Sequence, residues 1–403
     1  MKLHQPELLA PAGDWPSLSA ALDAGADSVY FGVQGFNLRH FAANFNISEL
    51  PKIMNDIHHR GKKGYLTLNT IMLNEDIPRA TRTLKAAKKA SVDAVILWDM
   101  AVLSIARSLG LEVHISTQAS VANAEAVKFY AGLGAKRIVL ARECSLNDIA
   151  EIICQLRKDQ TECEIEVFIH GAMCVSVSGR CFLSQEAFKE SANKGRCLQP
   201  CRREYLIKEA DGESEFIIGK DYILSPRDMC SVEFIDQLIE TGVSSFKIEG
   251  RMRPPEYVST VTGVYRKAID AYAEGALTDK LKKDLLKSLS SVYNRGFSQG
   301  FYFEVPADLG SKGPQSPGRK IYIGRIEKFY GNIGVAEVII HDGAINTGDN
   351  MLVIGKKTAP QWLNIESMER DHQRITSAGK GQNVAIKIPF RVRKGDKIFR
   401  WEE

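Results

Sequence analysis

The feature that most limits how this 403-residue chain can fold is a regular alternation. Through about the first 275 residues, short runs rich in Val, Ile, Leu and aromatics take turns with amphipathic stretches of helical period. The strand candidates are ELLAPAG from Glu7, SVYFG from Ser28, GYLTLN from Gly64, AVILWD from Ala94, EVHIST from Glu112, RIVLA from Arg137, EIEVFIHG from Glu164 and SFKIEG from Ser245. They show little polar alternation, as strands covered on both faces do. Helix candidates between them include Trp15–Ala24, Leu50–Arg60, Arg79–Ala90, Ala124–Ala131 and Leu146–Leu156. Gly25, Gly61, Gly110 and Gly134 each follow a helical stretch, where a left-handed cap favours glycine. Eight βα repeats predict an α/β fold, a (β/α)8 TIM-like barrel over residues 1–310. An open doubly wound sheet is the alternative.

One interval breaks the rhythm. About 75 residues separate EIEVFIHG from SFKIEG, and they include a further strand-like piece, YILSP (Tyr222–Pro226). Four of the chain's eight cysteines fall in this interval: Cys174, Cys181, Cys197 and Cys201. The sequence around them is loop-like and cysteine-rich over about residues 171–220, alternating small and basic residues. An insertion after a barrel strand falls on the C-terminal face, where barrel active sites are built. The spacing Cys-x6-Cys-x15-Cys-x3-Cys lacks the paired CxxC knuckles of a structural zinc site. Uneven spacing suits a cubane iron–sulfur cluster, whose irons sit apart. Spacing alone leaves zinc and iron–sulfur level. Gly171, Ser176, Ser178 and Gly179 leave amides free for sulfur. Arg180, Arg196, Arg202 and Arg203 could offset thiolate charge. Cys144, Cys154 and Cys163 are scattered and read as packing residues. Cys230, in SPRDMC, is a candidate fifth thiol at the site.

Polar residues also end the strands: Asn69, Gln118, Arg142, His170, Lys247, Glu249 and Arg251. In a barrel these positions converge on one mouth. A polar residue there often only caps its strand. Seven together, with an Asn/Arg-rich loop carrying Asn37, Arg39 and Asn44, favour an anion-binding pocket. Lys247 and Glu249 stand two apart on one strand face and are expected to pair with each other. Arg142, Lys247 and Arg251 are the candidates for carboxylate or phosphate. There is no G-x-S-x-G elbow, H-E-x-x-H helix or Walker loop. His170 close to Cys174 could imitate a Cys–His pair, but a thiol committed to a metal is not a free nucleophile.

The segment Ser311–Lys320 has the Gly/Pro/Ser composition of a linker. Beyond it the pattern becomes short strands and turns with Gly-Asp pairs, predicting a small β-barrel over residues 321–403. From Arg319 onward there are 15 Lys+Arg against 10 Asp+Glu, more than the chain's whole net charge of +4. Residues 171–207 carry a second basic surplus. Two basic regions on a near-neutral body suggest an extended anion such as RNA, although a small surplus also suits an ordinary solvated surface. No apolar run approaches a membrane span and the N-terminus has no apolar signal core, so a cytoplasmic location is expected.

The stretch EVFIHGAMCVSVSGRCFLS resembles the signature of peptidase family U32, the collagenase-like family. The likeness extends to ELLAPAGDWPSLSAALDAGADSVYFG, SANKGRCLQPCRREY, YILSPRDMC, SFKIEGRMRPPEYV and VYNRGFSQGF. The C-terminal segment resembles the family's translation-factor-like barrel. The resemblance implies more than its peptidase label. Well-understood members carry a four-iron four-sulfur cluster and hydroxylate tRNA wobble uridine, a ribosomal RNA cytidine or a ubiquinone precursor. Carried onto this chain, Cys174, Cys181, Cys197 and Cys201 match the ligand positions, with the fourth contested by Cys230. The added middle domain of the ribosomal RNA enzymes is missing here, and the C-terminal barrel generally missing from ubiquinone factors is present. Within the family the chain is therefore most similar to the tRNA uridine 5-hydroxylation subgroup. That likeness implies tRNA as partner, the small-molecule carboxylate prephenate as co-substrate and an electron donor of unnamed class. Peptide hydrolysis and ribosomal RNA hydroxylation are the alternatives.

Overall fold

The computed structural model describes residues 5–39, 42–203, 205–208, 215–218, 226–303, 315 and 317–402. Residues 222–225 of the YILSP strand candidate, residues 311–314 and 316 of the linker, and residues 304–310 at the end of the barrel segment lie outside these.

The eight expected strands are β1 Glu7–Ala12, β2 Ser28–Phe31, β3 Lys63–Leu68, β4 Ala94–Leu97, β5 Val113–Ile115, β6 Arg137–Val139, β7 Glu164–Ala172 and β8 Ser245–Ile248. Each pairs in parallel with the next, and β8 pairs with both β7 and β1. That closure excludes the open sheet. The helices outside are α1 Trp15–Asp23, α2 Leu50–His58, α3 Ile77–Lys89, α4 Met100–Ser108, α5 Ala124–Gly132, α6 Leu146–Lys158, α7 Ile235–Glu240 and α8 Pro255–Ala273. The local sequence explains them. In α6, Ser145 and Asp148 form a capping box, and Ile149, Ile152, Ile153 and Leu156 bury one face at 3–4-residue spacing. Prolines open α1, α2 and α3, where no amide partner is lost.

The apolar helix faces and outward strand residues form one continuous core. A smaller cluster, Leu9, Tyr30, Tyr65, Ala94 and Ile96, is separate from it. An ion network joins several strands: Arg137 on β6 meets Glu7 on β1 at 2.8 Å and Glu166 on β7 at 3.2 Å. Glu166 has no exposure and also accepts from Lys247 on β8 at 2.7 Å. A charge buried this deeply survives only when paired.

The insertion leaves β7 at its C-terminal end and returns there. Asp228–Cys230 pairs antiparallel with the last residues of β7, with Met229 opposite Gly171 and Cys230 opposite His170. The insertion is less loop-like than its composition suggested. It holds a six-residue helix, Leu183–Phe188, and a hairpin of Tyr205–Lys208 with Glu215–Ile218.

The C-terminal unit begins at Arg319, two residues inside the stretch that reads as linker. It is an eight-stranded antiparallel sheet with an additional two-stranded pair. Its first two strands are β9 Arg319–Tyr330 and β10 Val335–Ile340. Alternate residues of β10 are buried, and they join Ile323, Ile326, Met351, Val353 and Ile398 in a core of the unit's own. Lys320 at the start of β9 pairs with Glu256 on α8 at 2.7 Å.

Candidate functional site

The C-terminal mouth of the barrel and the insertion enclose one cavity of about 380 Å³. Its wall includes Asn69, Gln118, Arg142, Lys247, Glu249 and Arg251 from the strand ends and Cys174, Cys181, Cys197 and Cys201 from the insertion. Ten of the eleven residues singled out in the sequence thus meet at one place.

His170 does not join them. It sits on β7 with 1% exposure, its Nδ1 3.2 Å from the Tyr265 hydroxyl, among the rings of Tyr257, Tyr265 and Phe297. Burial, helped by Arg253, pulls its pKa down to about 3, so the ring is neutral at working pH. A neighbour four residues away in sequence is therefore not a Cys–His pair. Among the described residues, no histidine lines the cavity.

Glu249 is the electrostatic centre of the mouth. Arg39, on the loop after β2, meets its Oε1 at 3.1 Å, and Arg142 meets its Oε2 at 3.4 Å. Burial alone would push this carboxyl up, but Arg39, Arg142 and Arg251 outweigh it and hold the pKa at about 2. The expected Lys247–Glu249 pair does not form. Lys247 turns to Glu166, because a fully buried carboxylate one strand away leaves it no cheaper partner. Arg142 also donates to the Ala172 carbonyl at 2.9 Å and lies over the Phe168 ring at 3.9 Å. Arg251 donates to Thr67 Oγ1 at 2.7 Å; burial lowers its pKa to about 10, which leaves it charged. Of the three anion candidates, Arg142 and Arg251 face the cavity with charge to share, while Lys247 is neutralised below it.

Asn69 and Gln118 act on the frame. Asn69 Nδ2 donates to Gln118 Oε1 at 3.3 Å, and its Oδ1 accepts from the Leu38 amide at 3.2 Å. Gln118 Nε2 donates to the Ser178 carbonyl at 3.3 Å. Ser178 has φ +50, and its hydroxyl accepts from Ser120 at 2.7 Å. These contacts fix the loop between Cys174 and Cys181 to the end of β5.

All eight cysteines are free. The Ser176 amide donates to Cys174 Sγ at 3.4 Å, and the Leu183 amide to Cys181 Sγ at 3.3 Å. Burial pushes the Cys201 thiol up; Arg202 opposes this, while Cys174, Cys197 and Cys181 add to it. Cys230 is 6% exposed, 3.7 Å from the Tyr265 hydroxyl and absent from the cavity wall, with its pKa pushed up to about 12 by burial. Among the described residues, no three Cys, His, Asp or Glu stand close enough to hold a single ion. Four soft thiols, two of them with amide hydrogen bonds, are donors that suit either a zinc ion or an iron–sulfur cluster.

Three cations of this wall had no individual reading in the sequence or only a charge-balancing one. Arg202 donates to the carbonyls of Met173 at 2.7 Å and Pro226 at 2.9 Å, bracing the cysteine segment. Arg253 and Arg295 each stand 3.7 Å from the buried Asp228. The signal was present: both lie in stretches that carry the family likeness, RMRPPEY and VYNRGF. In all, seven cationic side chains (Arg39, Arg142, Arg202, Lys247, Arg251, Arg253 and Arg295) and two carboxylates (Glu143 and Glu249) line the cavity. Such a wall selects an anion.

The family model for peptidase family U32 matches residues 13–312. A Methanocaldococcus jannaschii protein named as an uncharacterized protease is 42% identical, covering 98% of both chains. A collagenase of Porphyromonas gingivalis is 39% identical over 100% of this chain and 99% of its own. The tRNA hydroxylation protein P1 of Bacillus subtilis is 39% identical over 75% of this chain and 72% of its own. Among the described residues no helix is long and apolar enough to cross a membrane. With the family signature, the barrel and the cysteine-bearing insertion all in one chain, this protein belongs to peptidase family U32.

Proposed function

We propose that this chain is an RNA hydroxylase that forms 5-hydroxyuridine at the wobble position of tRNA. The observation that carries the reading is the meeting of four insertion thiols and a cationic strand-end wall in one cavity. Cys174, Cys181, Cys197 and Cys201 would hold a four-iron four-sulfur cluster. When bound, it supplies electron transfer next to the substrate. The Ser176 and Leu183 amides direct hydrogen bonds at two of the sulfurs, and Arg202 holds the backbone just before Cys174 through the Met173 carbonyl. Arg251, with Arg39 and Arg142 shared on Glu249, would take the carboxylates of a small acid such as prephenate. The relatives named for tRNA hydroxylation support RNA as the substrate class.

Peptide hydrolysis is the second reading, favoured by the names of the first relatives. Among the described residues of the cavity wall, no histidine stands beside its serines and cysteines to act as a base. Anaerobic purification with iron and sulfide assays tests the proposal. Brown protein with about four irons per chain is expected. Colourless protein with one zinc would remove the redox reading.

A further inference from the structure

The C-terminal unit carries a second concavity, of about 820 Å³, away from the barrel mouth in sequence and in its lining. It lies between the end of β9, the turn Gly331–Gly334 and the segment Ile388–Lys394. Five cationic side chains line it: Lys328, Lys387, Arg391, Arg393 and Lys394. The one carboxylate, Glu327, accepts from Arg325 Nε at 2.6 Å and stands 4.0 Å from Lys394 Nζ. Among the described residues Lys387 and Arg391 have no carboxylate within ion-pair distance, and both are exposed.

The frame of this groove is built by hydrogen bonds. The Ile388 amide donates to Gly334 O at 2.7 Å, and the Gly395 amide to Ile326 O at 2.7 Å. The Arg393 amide donates to Asp396 Oδ2 at 2.8 Å, and its guanidinium to Lys357 O at 2.6 Å and Thr358 Oγ1 at 2.8 Å. Arg393 thus ties the backbone at Lys357 to the segment that forms the groove's edge. Phe329 and Phe390 line it half-buried, held by the sheet core. Cations spread along a concave strip, with Lys387 and Arg391 lacking a carboxylate partner among the described residues, match a phosphodiester chain, whose charges recur every few ångströms. Fixed rings beside them offer stacking to unpaired bases.

We propose that this groove binds the backbone of the RNA substrate, as a site separate from the catalytic cavity. The inference rests on the RNA reading above. The test uses the full-length protein and an unmodified tRNA transcript, with binding followed by fluorescence anisotropy across a salt series. K387A/R391A/K394A is expected to bind about 10–100-fold more weakly, with a salt slope shallower by about 2–3. Its iron content and thermal midpoint are expected to match wild type, and K387R/R391K/K394R to restore affinity. Wild-type binding with an unchanged slope in the triple alanine variant overturns the groove and leaves the RNA reading standing. No binding of the transcript by wild type overturns both. If the variant loses only binding to phosphatidylglycerol vesicles, the groove belongs to a membrane surface and the proposal fails.

Discussion

Replacing Glu249 by Gln keeps the shape of the mouth and removes its central charge. The carboxyl is 13% exposed and sits between Arg39 at 3.1 Å and Arg142 at 3.4 Å. Its pKa is held at about 2, against an ordinary value of 4.5. A gap of about 2.5 units corresponds to roughly 3.4 kcal/mol of stability at neutral pH. The sign follows from the direction. A depressed folded-state pKa stabilises above the unfolded value and loses its effect as pH falls towards 2. Equilibrium urea unfolding of metal-free wild type and E249Q should therefore differ by about 3 kcal/mol at pH 7, shrinking to about 1.4 kcal/mol at pH 3. The m-values should agree, since the surface exposed on unfolding is unchanged. A difference under about 1 kcal/mol at pH 7, or one that does not shrink with acid, would refute the arginine clamp.

Other perturbations separate the remaining roles. C201S should lose most of its bound iron, whereas C230A should keep it, because only the first thiol faces the cavity; iron assays on the two purified variants decide this. His170 should show no titration from pH 5 to 8 in histidine proton spectra, since burial holds it near 3. Gly171→Ala should cost about 2–4 kcal/mol in thermal or urea unfolding: at φ +111 a Cβ would stand 2.5 Å from the Glu249 carbonyl oxygen. Gln118→Leu frees the Ser178 loop and should weaken iron retention under chelator challenge, with little change in overall stability.

The barrel was legible because each strand is covered on both faces and each helix shows one apolar stripe; neither pattern depends on distant partners. The mouth was legible for a related reason, since strand ends must converge once the barrel closes. Pair identities were not. Lys247 and Glu249 are neighbours on one strand, but Glu166 on the adjacent strand competes for Lys247, and only strand register reveals it. His170 illustrates the opposite error. Its nearness to Cys174 in sequence hides its surroundings: His170 is still inside β7, packed among Tyr257, Tyr265 and Phe297, while Cys174 lies beyond the strand's end. Arg253 and Arg295 reach the cavity from beyond β8, so strand-end position does not mark them, and only the family likeness of their stretches does. The helix Leu183–Phe188 is six residues long, too short for its period to stand out among glycines and serines.

The central claim is that this cavity serves hydroxylation of tRNA uridine. Mass spectrometry of nucleosides from total tRNA tests it most directly. The comparison is a deletion strain without a paralogue, carrying the wild-type gene, the C181S gene or neither. The account predicts that 5-hydroxyuridine derivatives disappear on deletion, return with wild type and stay absent with C181S. Normal levels in the deletion strain would contradict it.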